Sequence, residues 1–114
     1  MTSELLDFIQ NRVSSFVRWD LIRYFNESPT RKETSDLVAK GTGRDSLSVE
    51  HELEALVLAK ILAHEDKEDV RRYKLARDKA TRQLIADFSA ACFDRQFRIE
   101  AIQVLINSVN FSSR

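Results

Sequence analysis

The side chains of this chain that could carry chemistry are few and scattered. His51 and His64 fall on different predicted elements, with no Cys or carboxylate at ligand spacing, so no metal site is expected. Cys92 is the single cysteine and stands on an apolar stripe. A thiol or metal sensor needs clustered soft ligands or a second cysteine, so Cys92 is read as a packing residue. Gly41-Thr42-Gly43-Arg44 lacks the spacing and the Lys-Ser/Thr ending of a phosphate loop and is read as a turn. No nucleophile elbow, HExxH, CxxC or dinucleotide fingerprint is present, so neither an enzyme nor a cofactor is expected.

What remains is polar recognition. Arg44, Ser46 and Ser48 lie where a helix should begin, and backbone N–H groups and the helix dipole favour a phosphate there; plain capping explains the same residues equally well. Glu50 and His51 follow on the exposed face of that helix, where a glutamate can accept from cytosine N4 and a histidine can meet a base edge or a phosphate, or simply be solvated. Lys67, Arg72 and Lys74 fall on a predicted hairpin and form a candidate basic wing. Residues 61–75 also hold four acids against four bases, which fits an ordinary solvated hairpin as well.

The elements that must position these residues follow from periodicity. Leu5, Leu6, Ile9, Val13, Phe16, Val17, Leu21, Ile22 and Phe25 recur at steps of three and four, giving one bent helix or two that end near Asn26. Ser3 is a candidate cap for the first piece and Ser14 or Ser15 for the second, and Pro29 stops the helix before Ser28. Either a capping box at Thr30 or a cap at Thr34 starts a short helix ending at Lys40. Gly43 supplies a turn with positive φ, and Asp45 or Ser46 caps a longer helix. Its apolar phase places Val49, Leu53 and Leu56 inside and Glu50, His51 and Glu54 outside. Residues 61–65 and 70–75 read as strands joined by a polar turn over 66–69. Two further helices carry Leu84, Ile85, Phe88 and Cys92, then Phe97, Ile99, Ile102, Val104, Leu105, Ile106 and Val109. Trp19 and the seven Phe are read as core, not as a ligand pocket.

Composition sets the outer bounds. With 43% hydrophobic residues and only 2 Gly and 1 Pro, the chain can build a core and is neither disordered nor an all-β sandwich. Eighteen basic and 18 acidic residues give a formal net charge of zero, so attraction to a polyanion must come from a local patch. No apolar run approaches the roughly 20 residues needed to cross a bilayer, and no membrane partner is expected. Without an early apolar segment or a paired cysteine, the expected compartment is the cytoplasm.

Val38 and Ala39, then Gly43, then Val49, stand at helix-turn-helix spacing: a small residue permits close packing, the glycine permits the turn, and the valine fixes the crossing. The run from Val49 to Leu62 resembles the recognition-helix-to-strand segment of winged helix-turn-helix regulators of the arsenical-repressor type. Arg71-Arg72-Tyr73-Lys74-Leu75 resembles their second wing strand, with Tyr73 and Leu75 facing inward. The resemblance covers roughly residues 16–76. It implies a mainly α fold: a three-helix core and two-stranded wing at 15–76, an N-terminal helix at 1–14, and C-terminal dimerisation helices at 77–114. It further implies a homodimeric DNA-binding transcription regulator with helix 46–59 in the major groove of double-stranded DNA.

Two departures bear on that expectation. Glu50-His51-Glu52 replaces the family's Ser-Arg-His, and Glu54 stands where a base is common, so residues 46–60 hold three acids and one base. Carboxylates repel phosphates, which opens the alternative of a winged-helix module that binds another protein. Lys60 replaces the glycine usual before the wing. The apolar residues of the last helix span more than one face, and with the first helix they suggest a two-fold interface formed by Leu5, Leu6, Ile9, Phe97, Ile102, Leu105, Ile106 and Val109.

Overall fold

The computed structural model describes the backbone of residues 1–112 and the side chains of residues 1–107. It is a winged helix-turn-helix extended at both ends. Helix α1 (Ser3–Phe8) runs into a π-helical turn (Ile9–Val13), and α2 spans Phe16–Glu27, α3 Ser35–Thr42 and α4 Ser46–Leu58. A hairpin of β1 (Leu62–Lys67) and β2 (Val70–Leu75) follows, then α5 (Lys79–Ala91) and α6 (Arg95–Ser112).

The first segment is two helices, not one bent one. Ser14 adopts a left-handed conformation with φ 56° and closes the π turn through its N–H to the Ile9 carbonyl, and Ser15 caps α2 by accepting from the Arg18 N–H. The first cap is Thr2 and not Ser3, because Thr2 is the extended residue whose hydroxyl accepts from Leu5 N–H. For α3, Thr34 is the cap and the box at Thr30 does not form. The intervening chain is held extended by Glu33, which exchanges two backbone hydrogen bonds with Tyr73 of β2 at 3.1 and 2.7 Å.

Helix α3 runs two residues past the expected Lys40. Gly41 is therefore helical, and its role is close approach: a Cβ there would overlap the Tyr24 ring. Gly43 takes the turn at φ 69°. Asp45 caps α4 through Ser48 N–H at 3.0 Å. At the other end of α4, Ile61 N–H reaches the Leu56 carbonyl and Lys60 N–H the Val57 carbonyl, both at 3.0 Å, a Schellman motif with Lys60 in the left-handed position at φ 64°. The turn is thus the usual one built without its usual glycine. A side chain there costs about 1–2 kcal/mol, so Lys60→Gly is expected to stabilise the fold by about 1 kcal/mol in chemical denaturation. A loss of stability would contradict this geometry.

The hairpin pairs Leu62 with Leu75 through Lys67 with Val70. Only Glu68 and Asp69 form its loop, both at positive φ (55° and 63°), as a two-residue turn matching strand twist requires. That short loop explains why Asp66 and Lys67 belong to β1 and not to the turn. Ile61 stays in the Schellman motif, so the strand starts one residue later than expected.

One core runs through all the helices. Phe88 of α5 meets Phe8, Trp19 and Phe97 edge-on at ring separations of 5.7, 5.1 and 6.3 Å, joining α1, α2, α5 and α6. Val49, Leu53 and Leu56 are fully buried, Cys92 is buried, and Trp19, Phe8, Phe25, Phe88 and Phe97 are core. Phe16 and Phe93, expected in the core, are instead 45% and 80% exposed, because they lie off the buried stripes at the start of α2 and past the end of α5. Phe111 lies outside the residues whose side chains are described. Three residues expected at a dimer interface are consumed here. Ile9, Phe97 and Leu105 are buried inside the chain, because α6 packs one stripe against the π turn and α5. Leu5 is half-buried against the same core, while Leu6, Ile102 and Ile106 remain exposed with Ile99. Val109 lies outside the residues whose side chains are described. Among the described residues no helix is long and apolar enough to cross a membrane.

Candidate nucleic-acid interface

Helix α4 buries one face through Val49, Leu53 and Leu56, which turns Leu47, Ser48, Glu50 and His51 outward. The hairpin projects from the C-terminal end of the same helix, with Lys67, Arg71 and Arg72 exposed and Lys74 half-buried. Helix, turn, helix and wing thus form one surface, and its electrostatics depend on which charges are already engaged.

Several are. Arg44 pairs with Asp20 of α2, and the Ser46 hydroxyl bonds Asp36 of α3. Ser48 N–H is held by Asp45, so the start of α4 is capped by a carboxylate of the chain itself, although the Ser48 side chain is exposed. Lys74 Nζ lies 2.6 Å from Glu65, which Lys32 also approaches at 3.3 Å. The Lys74 and Lys32 hydrogen bonds hold the Glu65 carboxyl below its ordinary range. Lys67, Arg72, Glu50 and His51 make no side-chain hydrogen bond or ion pair among the described residues.

The acids of α4 divide in a way the sequence does not reveal. Glu52 accepts from Arg18 Nε at 2.6 Å, and Arg18 also donates to Ser14 Oγ at 2.9 Å, tying α4 to the start of α2. Glu54 is half-buried and not freely exposed as its helical phase suggests. It accepts from the Tyr73 hydroxyl and, at 3.0 and 3.1 Å, from Arg71 Nη1. Arg71 in turn grips Asp66 through Nε and Nη2 at 2.7 and 2.9 Å. Glu54 is therefore the latch between α4 and the hairpin, and Arg71 is spent holding two carboxylates. A hint existed in the sequence, since an inward-facing tyrosine needs a partner for its hydroxyl.

The Tyr73 hydrogen bond, more than the Arg71 contacts, holds the Glu54 carboxyl below its ordinary range. Burial and then Glu54 push the Tyr73 phenol upward. A carboxyl lowered in the folded state contributes stability that is fully present above the ordinary carboxylate range and lost as pH falls from that range through the lowered folded-state value. Glu54→Gln is thus expected to cost about 1 kcal/mol near neutral pH, discounted for the 42% exposure of the Glu54 side chain, and the gap from wild type should close below about pH 4. Chemical denaturation at several pH values measures it; a gap independent of pH would show that the carboxylate is not what holds the hairpin.

Cys92 is alone, and burial raises its thiol above the ordinary range. No group of three His, Cys, Asp or Glu side chains with metal-binding geometry occurs among the described residues.

No family model and no curated protein sequence matches this chain. Among solved structures, a Methanosarcina mazei Go1 protein described as a possible transcriptional regulator is similar over 83% of this chain and 82% of its own, with a TM-score of 0.56 and 18% identity. At that identity the likeness establishes the shared fold.

Proposed function

We propose that this chain is a cytoplasmic, homodimeric, DNA-binding transcription regulator that lays the N-terminal half of α4 in the major groove with the hairpin alongside. The observation that carries the proposal is the division of charge on this surface. Glu52 and Glu54 are bonded to Arg18 and Arg71 and held toward the protein, whereas His51, Ser48, Lys67 and Arg72 are open to a partner. Glu50 is then the one unengaged acid of α4 among the described residues, placed to accept from cytosine N4. The fold shared with a protein described as a possible transcriptional regulator supports the same reading.

Affinity for random and genomic double-stranded DNA across a salt series tests it. Lys67 and Arg72 supply two open cations per protomer, which predicts a slope of log K against log salt of about −2 per protomer, shallow for a DNA-binding protein. Glu50→Gln should raise non-specific affinity by removing repulsion from phosphates, and should lower specific affinity where Glu50 reads a cytosine. Glu54→Gln does not serve the same test, because loss of the Glu54 carboxylate loosens the hairpin. No binding at about 100 µM in low salt would eliminate DNA as the ligand.

A second reading, a winged-helix module for another protein, draws on Leu47, which is 76% exposed on the outward face of α4. An apolar residue there suits an apolar partner as well as a thymine methyl. Loss of DNA affinity in Leu47→Ser would assign Leu47 to the DNA-facing surface, whereas unchanged DNA affinity would leave it to a protein.

A further inference from the structure

Beyond the outward-facing first turns of α4, its C-terminal end, the π turn, β1 and the start of α5 border an open cleft of about 760 Å³. Nothing in the proposed DNA contact uses it. Its walls are apolar at Val57 and Leu62, with Arg12, Lys60, His64 and Asp78 at its edges. That mixture, an apolar wall with a few polar groups in a volume of several hundred Å³, is the make-up of a small-molecule site.

The polar groups are not equivalent. Asp78 is occupied as the cap of α5: one of its oxygens accepts from Thr81 N–H at 2.9 Å and from the Thr81 hydroxyl at 2.7 Å. Arg12 donates once, from Nη2 to the Ala59 carbonyl at 3.0 Å, and the rest of its fork has no hydrogen-bond partner among the described residues. The Lys60 ammonium has none there either. His64 Nδ1 is a buried nitrogen that lies 3.3 Å from an Asp66 oxygen without forming a hydrogen bond. Arg12 thus neighbours a carboxylate already committed to capping, and the exposed Lys60 brings a second cation to the lining. Lys60 adds a second sign, because it stands at a left-handed position where glycine would be the more stable residue. Strain kept at a position that lines a cleft is the pattern expected of a site in which the side chain itself has a task.

We infer that this cleft binds a small organic carboxylate with an apolar body, its head between Arg12 and Lys60 and its body on Val57 and Leu62. The site does not depend on α4 meeting DNA. Bound there, the ligand touches the π turn, α4, β1 and α5 together, so it would fix the base of the hairpin against the N-terminal segment.

Titration of the full chain with benzoate and with octanoate, followed by amide NMR, tests the inference, with inorganic phosphate as the probe for head-group charge alone. The expected result is saturable shifts at Lys60, Leu62, Ala63 and His64 with a Kd of about 1 mM or tighter, as a ligand of that size allows. Phosphate should bind at least about tenfold more weakly. Lys60→Gly, which removes the charge while relieving the backbone, should weaken carboxylate binding at least about tenfold in a folded protein, and Arg12→Gln should do the same. No saturable shift with either carboxylate up to about 20 mM would overturn the site, as would wild-type affinity in Lys60→Gly or phosphate binding equal to octanoate binding.

Discussion

Phe88→Ala is expected to destabilise the protein by about 3–5 kcal/mol in chemical denaturation. Phe88 is fully buried, and its ring is the hub on which Phe8, Trp19 and Phe97 converge from three other helices. Removing it empties a volume that four helices line, and none can collapse inward without breaking its own packing, so the cavity cost adds to the lost transfer energy. Leu53→Ala, in the core of the helix-turn-helix, should cost about 2–5 kcal/mol by the same mechanism. Both variants should lower one cooperative transition. A change under about 1 kcal/mol for Phe88, or separate transitions for the terminal helices and the rest, would show that the core is not continuous.

The second large effect concerns assembly. Ile102→Glu with Ile106→Glu is expected to weaken the proposed dimer at least about a hundredfold while leaving each chain folded. Ile99, Ile102 and Ile106 are 50%, 39% and 40% exposed and form one stripe along α6, so in a single chain their replacement meets water and costs little. At an interface the same glutamates would be desolvated without partners. Leu105→Glu is the contrasting control: Leu105 is fully buried within the chain, and that substitution should unfold it. Light scattering or sedimentation distinguishes these outcomes. A wild-type particle of 13.2 kDa at every accessible concentration would remove the dimer from the proposed function.

The sequence by itself determined the order of helices and hairpin, the positive φ at Gly43 and the inward phase of Val49, Leu53 and Leu56. These are short-range properties. A cap acts over three residues, a turn over four, and the period of an apolar stripe can be read from any two turns of helix. Where two local solutions were nearly equal, as between Thr30 and Thr34 or between Asp45 and Ser46, a distant contact or the local backbone decided. The bridge of Glu33 to Tyr73 held the chain extended and left Thr34 as the first residue free to cap.

Only the tertiary structure decided which charges of α4 face outward. Glu52 finds Arg18 at 34 residues' separation and Glu54 finds Arg71 at 17, so a helix that reads as repellent to phosphate has two of its acids bound to its own chain. The same holds for α6, whose apolar width was legible although its division was not: Phe97 and Leu105 went to the core, Ile102 and Ile106 to the surface. The physical reason is common to both. Periodicity fixes the direction in which a side chain leaves its helix, but what it meets depends on where helices cross, and crossings are set by the packing of residues far apart in the chain.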